Sequence, residues 1–171
     1  GRAFVQLEDN ANAIERFQLL VKNFPQSHMA RRAANEIGLL YYQDDKYPEA
    51  IAAYKDVIKN YPGSEEARLA QRDLKSIYID LNKVDEYADF ASTIPGGANF
   101  DVNERDSLTY VAAERVYMRG ENVEARNSFV KYLQTFPEGA FSLNANYYIG
   151  LIDYNQQNYE SASAHLNKVL E

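Results

Sequence analysis

The chain has 171 residues with 18 Lys and Arg against 25 Asp and Glu, a net charge of -7, which argues against the broad basic face from which duplex binding draws its counterion-release energy. Its 46% hydrophobic and 25% charged content is that of an ordered globular chain, and no apolar run approaches the roughly 20 residues of a membrane span. Cys is absent, which removes disulfides, thiolate metal sites and thiol nucleophiles together.

A fixed period organises the rest. KNFPQSHMARRA (22–33) returns as KNYPGSEEARLA (59–70) and, more loosely, as QTFPEGAFSLNA around Pro137. Pro25 and Pro62 are 37 residues apart, Pro62 and Pro137 are two periods apart, and each follows an aromatic. A period of this length signals a repeat architecture.

In chain order, residues 1–27 form a partial repeat in which Phe4, Ala13, Phe17 and Pro25 keep the spacing of later copies. Residues 28–64 are the clearest copy. Ala34, Ile37, Gly38 and Tyr41, then Ala50, Tyr54 and Val57, fall at i, i+3, i+4, i+7, the spacing of two amphipathic helices. Between them lies the polar turn Gln43 to Pro48, whose proline suits a first helical turn. Residues 65–102 are degenerate: Lys75 stands in the Gly38 slot, Tyr87 and Ala91 replace Ala50 and Tyr54, and Asn99 occupies the proline position. Ile94-Pro95-Gly96-Gly97 predicts an early helix end, hence a shortened second helix and an altered angle to the neighbouring repeat, which is either a harmless irregular repeat or, in the functional alternative, a flexible joint over 93–101. Residues 103–139 carry Thr109, Ala112, Ala113, Val116, Ala125 and Phe129 in the helix slots, and 140–171 carry Asn146, Ile149, Gly150, Asp153, Ala162 and Leu166, with Asp153 the poor fit. Ser27, Ser64 and Asp101 are placed to cap the helices that follow. The chain opens in mid-repeat and closes without a polar capping helix, as expected of an excised or processed piece whose ends could pair with another copy.

These slots resemble the tetratricopeptide repeat family: a bulky residue, Leu-Gly and Tyr in the first helix, then Ala-x3-Phe and Pro in the second. The resemblance covers nearly the whole chain, although the period exceeds the family's usual length of about 34. It implies an all-α fold, a right-handed α-solenoid of antiparallel helix pairs with about four and a half repeats and nine helices. Tyr-Pro-Gly-Ser before an Ala-rich helix also resembles tetratricopeptide arrays of bacterial envelope proteins, which implies a periplasmic or envelope location. Of the Lys, Asn and Arg set with which some family members clamp a chaperone tail, only Asn35 has a counterpart. Leu39 stands where a second Asn is needed.

Catalytic and cofactor signatures are missing. His28 and His165 have no metal-ligand spacing, Asp44-Asp45 lacks the alternating ligands of a calcium loop, Gly96-Gly97 is not followed by the Lys-Ser/Thr of a phosphate loop, and there is no GxSxG. No enzyme activity, metal or cofactor is therefore expected. Arg31, Arg32, Arg68 and Arg72 make a basic strip on successive first helices, where Glu36 and Asp73 are expected to pair with it locally.

Stacked helix pairs line a concave surface with their first helices. The residues off the packing stripe are Arg32, Asn35, Leu39 and Tyr42; Arg72, Ser76 and Ile79; Tyr110, Glu114 and Tyr117; and Tyr147, Leu151 and Tyr154. Five tyrosines in this set suggest a recognition surface. The expectation is a non-catalytic scaffold that binds a protein or peptide segment, with no nucleic acid and no membrane insertion. The alternative is a structural spacer or assembly segment acting through its ends and convex face, with self-association through the repeat ends.

Overall fold

The computed structural model describes residues 2–95 and 101–171, with side chains from residue 8 onward. The side chain of Phe4, the pair Gly96-Gly97, Asn99 and the centre of the expected joint lie outside the described residues. Among the described residues the regular elements are nine helices: α1 (Arg2–Asn23), α2 (His28–Gln43), α3 (Tyr47–Asn60), α4 (Glu65–Asp80), α5 (Val84–Ser92), α6 (Val102–Met118), α7 (Asn122–Thr135), α8 (Ser142–Asn155) and α9 (Tyr159–Leu170). The all-α architecture expected from the helical spacing is present. The chain divides into two compact units, residues 1–77 and 78–171.

In the first unit α1 packs on α2 and α2 on α3. Ala30, Ala33 and Ile37 from α2 meet Ala50, Tyr54, Val57 and Ile58 from α3 in the core. Gly38 makes the close approach possible, because a Cβ there would lie 2.7 Å from the Tyr54 ring. The Tyr54 hydroxyl donates to Asp73 at 3.1 Å, and burial, then the Asp73 carboxylate, pushes its pKa upward. Ser27 accepts from the Ala30 N–H at 3.0 Å and Ser64 from the Ala67 N–H at 3.1 Å, so both expected caps form. Pro48 occupies the first turn of α3. The partial repeat at the start contributes one unbroken helix, α1. Residues 5–24 contain neither Gly nor Pro, so nothing in the backbone opposes continuing the helix.

In the second unit α5 has nine residues against 14 in α3 and in α7, the shortening expected ahead of Pro95. Asp101 caps α6, accepting from the Glu104 N–H at 2.7 Å. Tyr110, Ala113, Val116, Ala125, Phe129, Tyr132, Ala145, Ile149 and Ile152 form one core from α6, α7 and α8. Phe129 stacks on Tyr148 at 4.9 Å. Between α8 and α9 a Cβ on Gly150 would meet the Leu166 side chain at 2.6 Å, so Gly150 does for Leu166 what Gly38 does for Tyr54. The link from α7 to α8 is held from inside: the Tyr132 hydroxyl donates to buried Asp106, whose other oxygen accepts from the Ala140 N–H at 2.9 Å.

One turn recurs in both units. The first helix of each pair ends with a residue in the left-handed region, Asp45 (φ 58°), Asn82 (φ 59°), Gly120 (φ 80°) and Gln157 (φ 63°). The next N–H reaches back five residues, from Lys46, Lys83, Glu121 and Asn158 to the carbonyls of Tyr41, Tyr78, Val116 and Asp153. These two features make a Schellman motif, which satisfies carbonyls left open at the helix end and stops the helix at a fixed position.

Candidate functional site

The expected partner-facing residues fall into separate sets, one in each unit. In the first unit, Arg32 is exposed on α2 and Asn35, Leu39 and Tyr42 are half-buried, while α4 carries exposed Arg72 and half-buried Ser76. Arg72 lies 3.5 Å from Asp73, and Tyr42 packs near Tyr47 with ring centroids 6.0 Å apart. The expected pairing of Arg68 with Asp73 is replaced by contacts from Arg72 and the Tyr54 hydroxyl. The Asn35 side-chain oxygen is inaccessible and accepts no hydrogen bond. An open cleft of about 420 Å³, lined by Val21, Ile37, Tyr41, Ala52, Ala53 and Asp56 among others, lies beside α1, α2 and α3.

In the second unit two expected surface residues are in the core, and the assignment is corrected. Ile79 is 7% exposed and packs with Val84 and Ala112. Tyr110 is 4% exposed, because Phe141 from the link before α8 stacks flat on its ring at 4.5 Å and Phe129 and Tyr132 close the sides. A position off the helix's own packing stripe is thus covered by the following element.

The remaining five lie on α6 and α8, and Tyr154 at the far end of α8 packs against Tyr159 of α9 with ring centroids 5.5 Å apart. Glu114 and Tyr117 are one turn apart on α6, and Tyr147, Leu151 and Tyr154 lie at i, i+4 and i+7 on α8. Tyr147 is 45% exposed and Tyr154 58%. One side chain that joins the two helices is Tyr148, which was not among the expected site residues. Its ring lies 4.8 Å from that of Tyr117 and 6.0 Å from that of Tyr147, and its hydroxyl donates to Glu114 at 3.2 Å. The Tyr110 hydroxyl donates to the same Glu114 oxygen at 2.8 Å. Burial first, then the Glu114 carboxylate, raises the pKa of both phenols, so each remains a donor across the neutral range. The available signal for Tyr148 was its slot: it lies two periods after Asp73, which holds the Tyr54 hydroxyl as Tyr148 holds the Phe129 ring.

Beneath this ledge α8 is tied to α7 and α9. Asp153, 1% exposed, accepts from Arg126 Nε at 2.6 Å and from the Ser161 hydroxyl at 2.5 Å. The Arg126 hydrogen bond, opposed by burial and helped by Ser161, holds its carboxyl below the usual range. His165 meets the Asn146 amide oxygen at 2.9 Å. Among the described residues no group of three or more His, Cys, Asp or Glu could hold a metal ion, and no helix is long and apolar enough to cross a membrane. The arrangement offers aromatic faces, hydroxyl donors and one carboxylate, which are means of recognition.

Residues 1–65 match the model of the tetratricopeptide repeat family. No curated protein matches the chain. Similar solved structures include the MamA RS-1 ArsTM double mutant, 12% identical with 94% of this chain and 83% of that one covered and a TM-score of 0.41. MamA 41-end from Desulfovibrio magneticus RS-1 is 12% identical over 96% and 93% of the two chains, with a TM-score of 0.37. MamA MSR-1 C2 is 15% identical over 98% and 94%, with a TM-score of 0.38.

Proposed function

We propose, taking residues 1–65 as a tetratricopeptide repeat segment and the later helix pairs as its continuation, that the protein is a non-catalytic interaction scaffold. It binds an extended protein segment on the ledge formed by Glu114, Tyr117, Tyr147, Leu151 and Tyr154. The observation that carries this reading is the contrast along α8: its one charged residue, Asp153, is buried and paired, while Tyr147 and Tyr154 are turned to solvent. Exposed tyrosines offer rigid apolar area and a hydroxyl at low entropic cost. Arg32, Asn35, Leu39, Tyr42, Arg72 and Ser76 in the first unit are a second candidate surface, where Arg32 and Arg72 are exposed.

Tyr147→Ala combined with Tyr154→Ala tests the ledge. Solvent-facing truncations of this kind change stability by about 0.5 kcal/mol or less each, so the melting curve should hardly move while a partner recovered by pull-down weakens at least about tenfold, the loss of one aromatic hot spot. Tyr110→Ala is the internal contrast. Removing this buried ring should cost about 3–5 kcal/mol and lower the melting temperature whatever binds. Undiminished partner binding by the double variant would overturn the assignment.

A further inference from the structure

The ledge contains a carboxylate that is held but not neutralised. Glu114 Oε2 receives both the Tyr110 and Tyr148 hydroxyls, and among the described residues no basic side chain lies within ion-pair distance of Glu114. Arginines of α6, of the turn after it and of α7 are paired with other carboxylates: Arg115 with Asp80 at 2.5 Å, Arg119 with Glu121 at 3.4 Å and Arg126 with Asp153 at 2.6 Å. Charge is also distributed unevenly between the units. Residues 1–77 carry eleven acids and eleven bases, whereas residues 78–171 carry fourteen acids and seven bases, so the whole net charge of -7 belongs to the unit that bears the ledge.

We infer that Glu114 is the receptor for an arginine side chain of the bound segment, and that the partner is a basic, extended stretch of polypeptide. The inference rests on the ledge reading and adds the chemistry of its occupant. Two phenolic donors fix the carboxylate in place before anything binds, so little side-chain entropy remains to be lost. Oε2 is filled by the two phenols, so a planar guanidinium pairs with the carboxylate through Oε1, the oxygen they leave open. Its flat face also stacks on aromatic rings, and Tyr148, whose hydroxyl holds Glu114, has the rings of Tyr117 and Tyr147 next to its own. An ammonium would find the charge without using the plane. An acidic or phosphorylated segment would meet repulsion from Glu114 and from the unit as a whole.

The experiment is selection from a displayed random dodecapeptide library on the full chain, run in parallel on Glu114→Gln and on Tyr147→Ala with Tyr154→Ala. Gln keeps an oxygen for the two hydroxyls, and circular dichroism and melting curves should match the unaltered protein. Peptides from the unaltered protein should share an arginine, that arginine should vanish from the consensus selected on Glu114→Gln, and replacing it by citrulline, which keeps the shape without the charge, should weaken binding about tenfold. Peptides that depend on the two tyrosines but share no arginine, or that bind equally with citrulline, would overturn the arginine assignment and leave the ledge reading standing. Peptides indifferent to both variants, or no selected peptide, would overturn both.

Discussion

His165 shows how much of this molecule depends on contacts that only folding creates. Asn146 donates through its amide nitrogen to the Ser142 carbonyl at 2.9 Å, which turns its oxygen toward the imidazole and makes His165 a donor through Nδ1. Burial pushes the His165 pKa down, Lys168 and Arg126 push the same way, and Asp153 opposes them. The folded state therefore binds the proton less readily than the unfolded chain. The stabilisation is complete above the unfolded value of about 6.5 and is lost as pH falls through the lower folded value. Asp153 has the same sign in a more acidic window: its contribution is present above about pH 4 and lost as its depressed folded pKa is passed. Melting temperatures measured from pH 8 to pH 3 should fall in two stages, and His165→Gln should remove the first while leaving the second. A single acid transition unchanged by His165→Gln would show that the imidazole is not coupled to stability. None of this was legible in the sequence, where Asp153 is only a misfit in an aromatic slot, because its partner Arg126 lies 27 residues earlier.

At the scale of the element, the parts that could be read in advance are the ones set by neighbours in sequence. Ser27, Ser64 and Asp101 cap their helices because a short oxygen three residues before a free N–H needs no distant help. Pro95 shortens α5 for a similarly local reason. Tyr110 and Tyr147 mark the limit. They occupy one slot a period apart, yet Tyr110 is buried and Tyr147 is not, because Phe141 stacks on the first. The recurring turn yields a prediction of its own. Gln157 adopts φ 63°, where a Cβ is strained, while the equivalent position in the α6–α7 pair is Gly120 at φ 80° with no heavy atom near the missing Cβ. Gln157→Gly should stabilise the chain by up to about 1 kcal/mol, and Gly120→Ala should destabilise it by about 1 kcal/mol, since only the backbone conformation distinguishes them. Urea titrations of the two variants should shift in opposite directions without a change in slope. A loss of stability in Gln157→Gly would mean that the glutamine side chain contributes more than its backbone strain costs.

For the whole molecule, the separation of a neutral residue range 1–77 from an acidic range 78–171 sets a sign that distinguishes two ways of acting. An arginine-bearing segment approaching the acidic unit is attracted over about a Debye length, roughly 10 Å at 0.1 M salt and about 3 Å at 1 M. Steering of this kind acts mainly on the association rate. Raising NaCl from 50 to 500 mM should therefore slow association of the selected peptide several-fold, while its dissociation rate, set by the stacked and hydrogen-bonded contacts on the ledge, changes little. The spacer alternative predicts the reverse. Copies meeting each other carry the same net charge of -7, so their repulsion is screened by salt and apolar contacts are unaffected. Self-association followed by light scattering would then strengthen as NaCl rises. Stopped-flow mixing with the peptide and scattering from the protein alone, over one salt series, separate the readings because the two dependences have opposite slopes. Peptide association indifferent to salt would remove the electrostatic part of the ledge, and scattering that grows with salt and with protein concentration would move the function to contacts between copies.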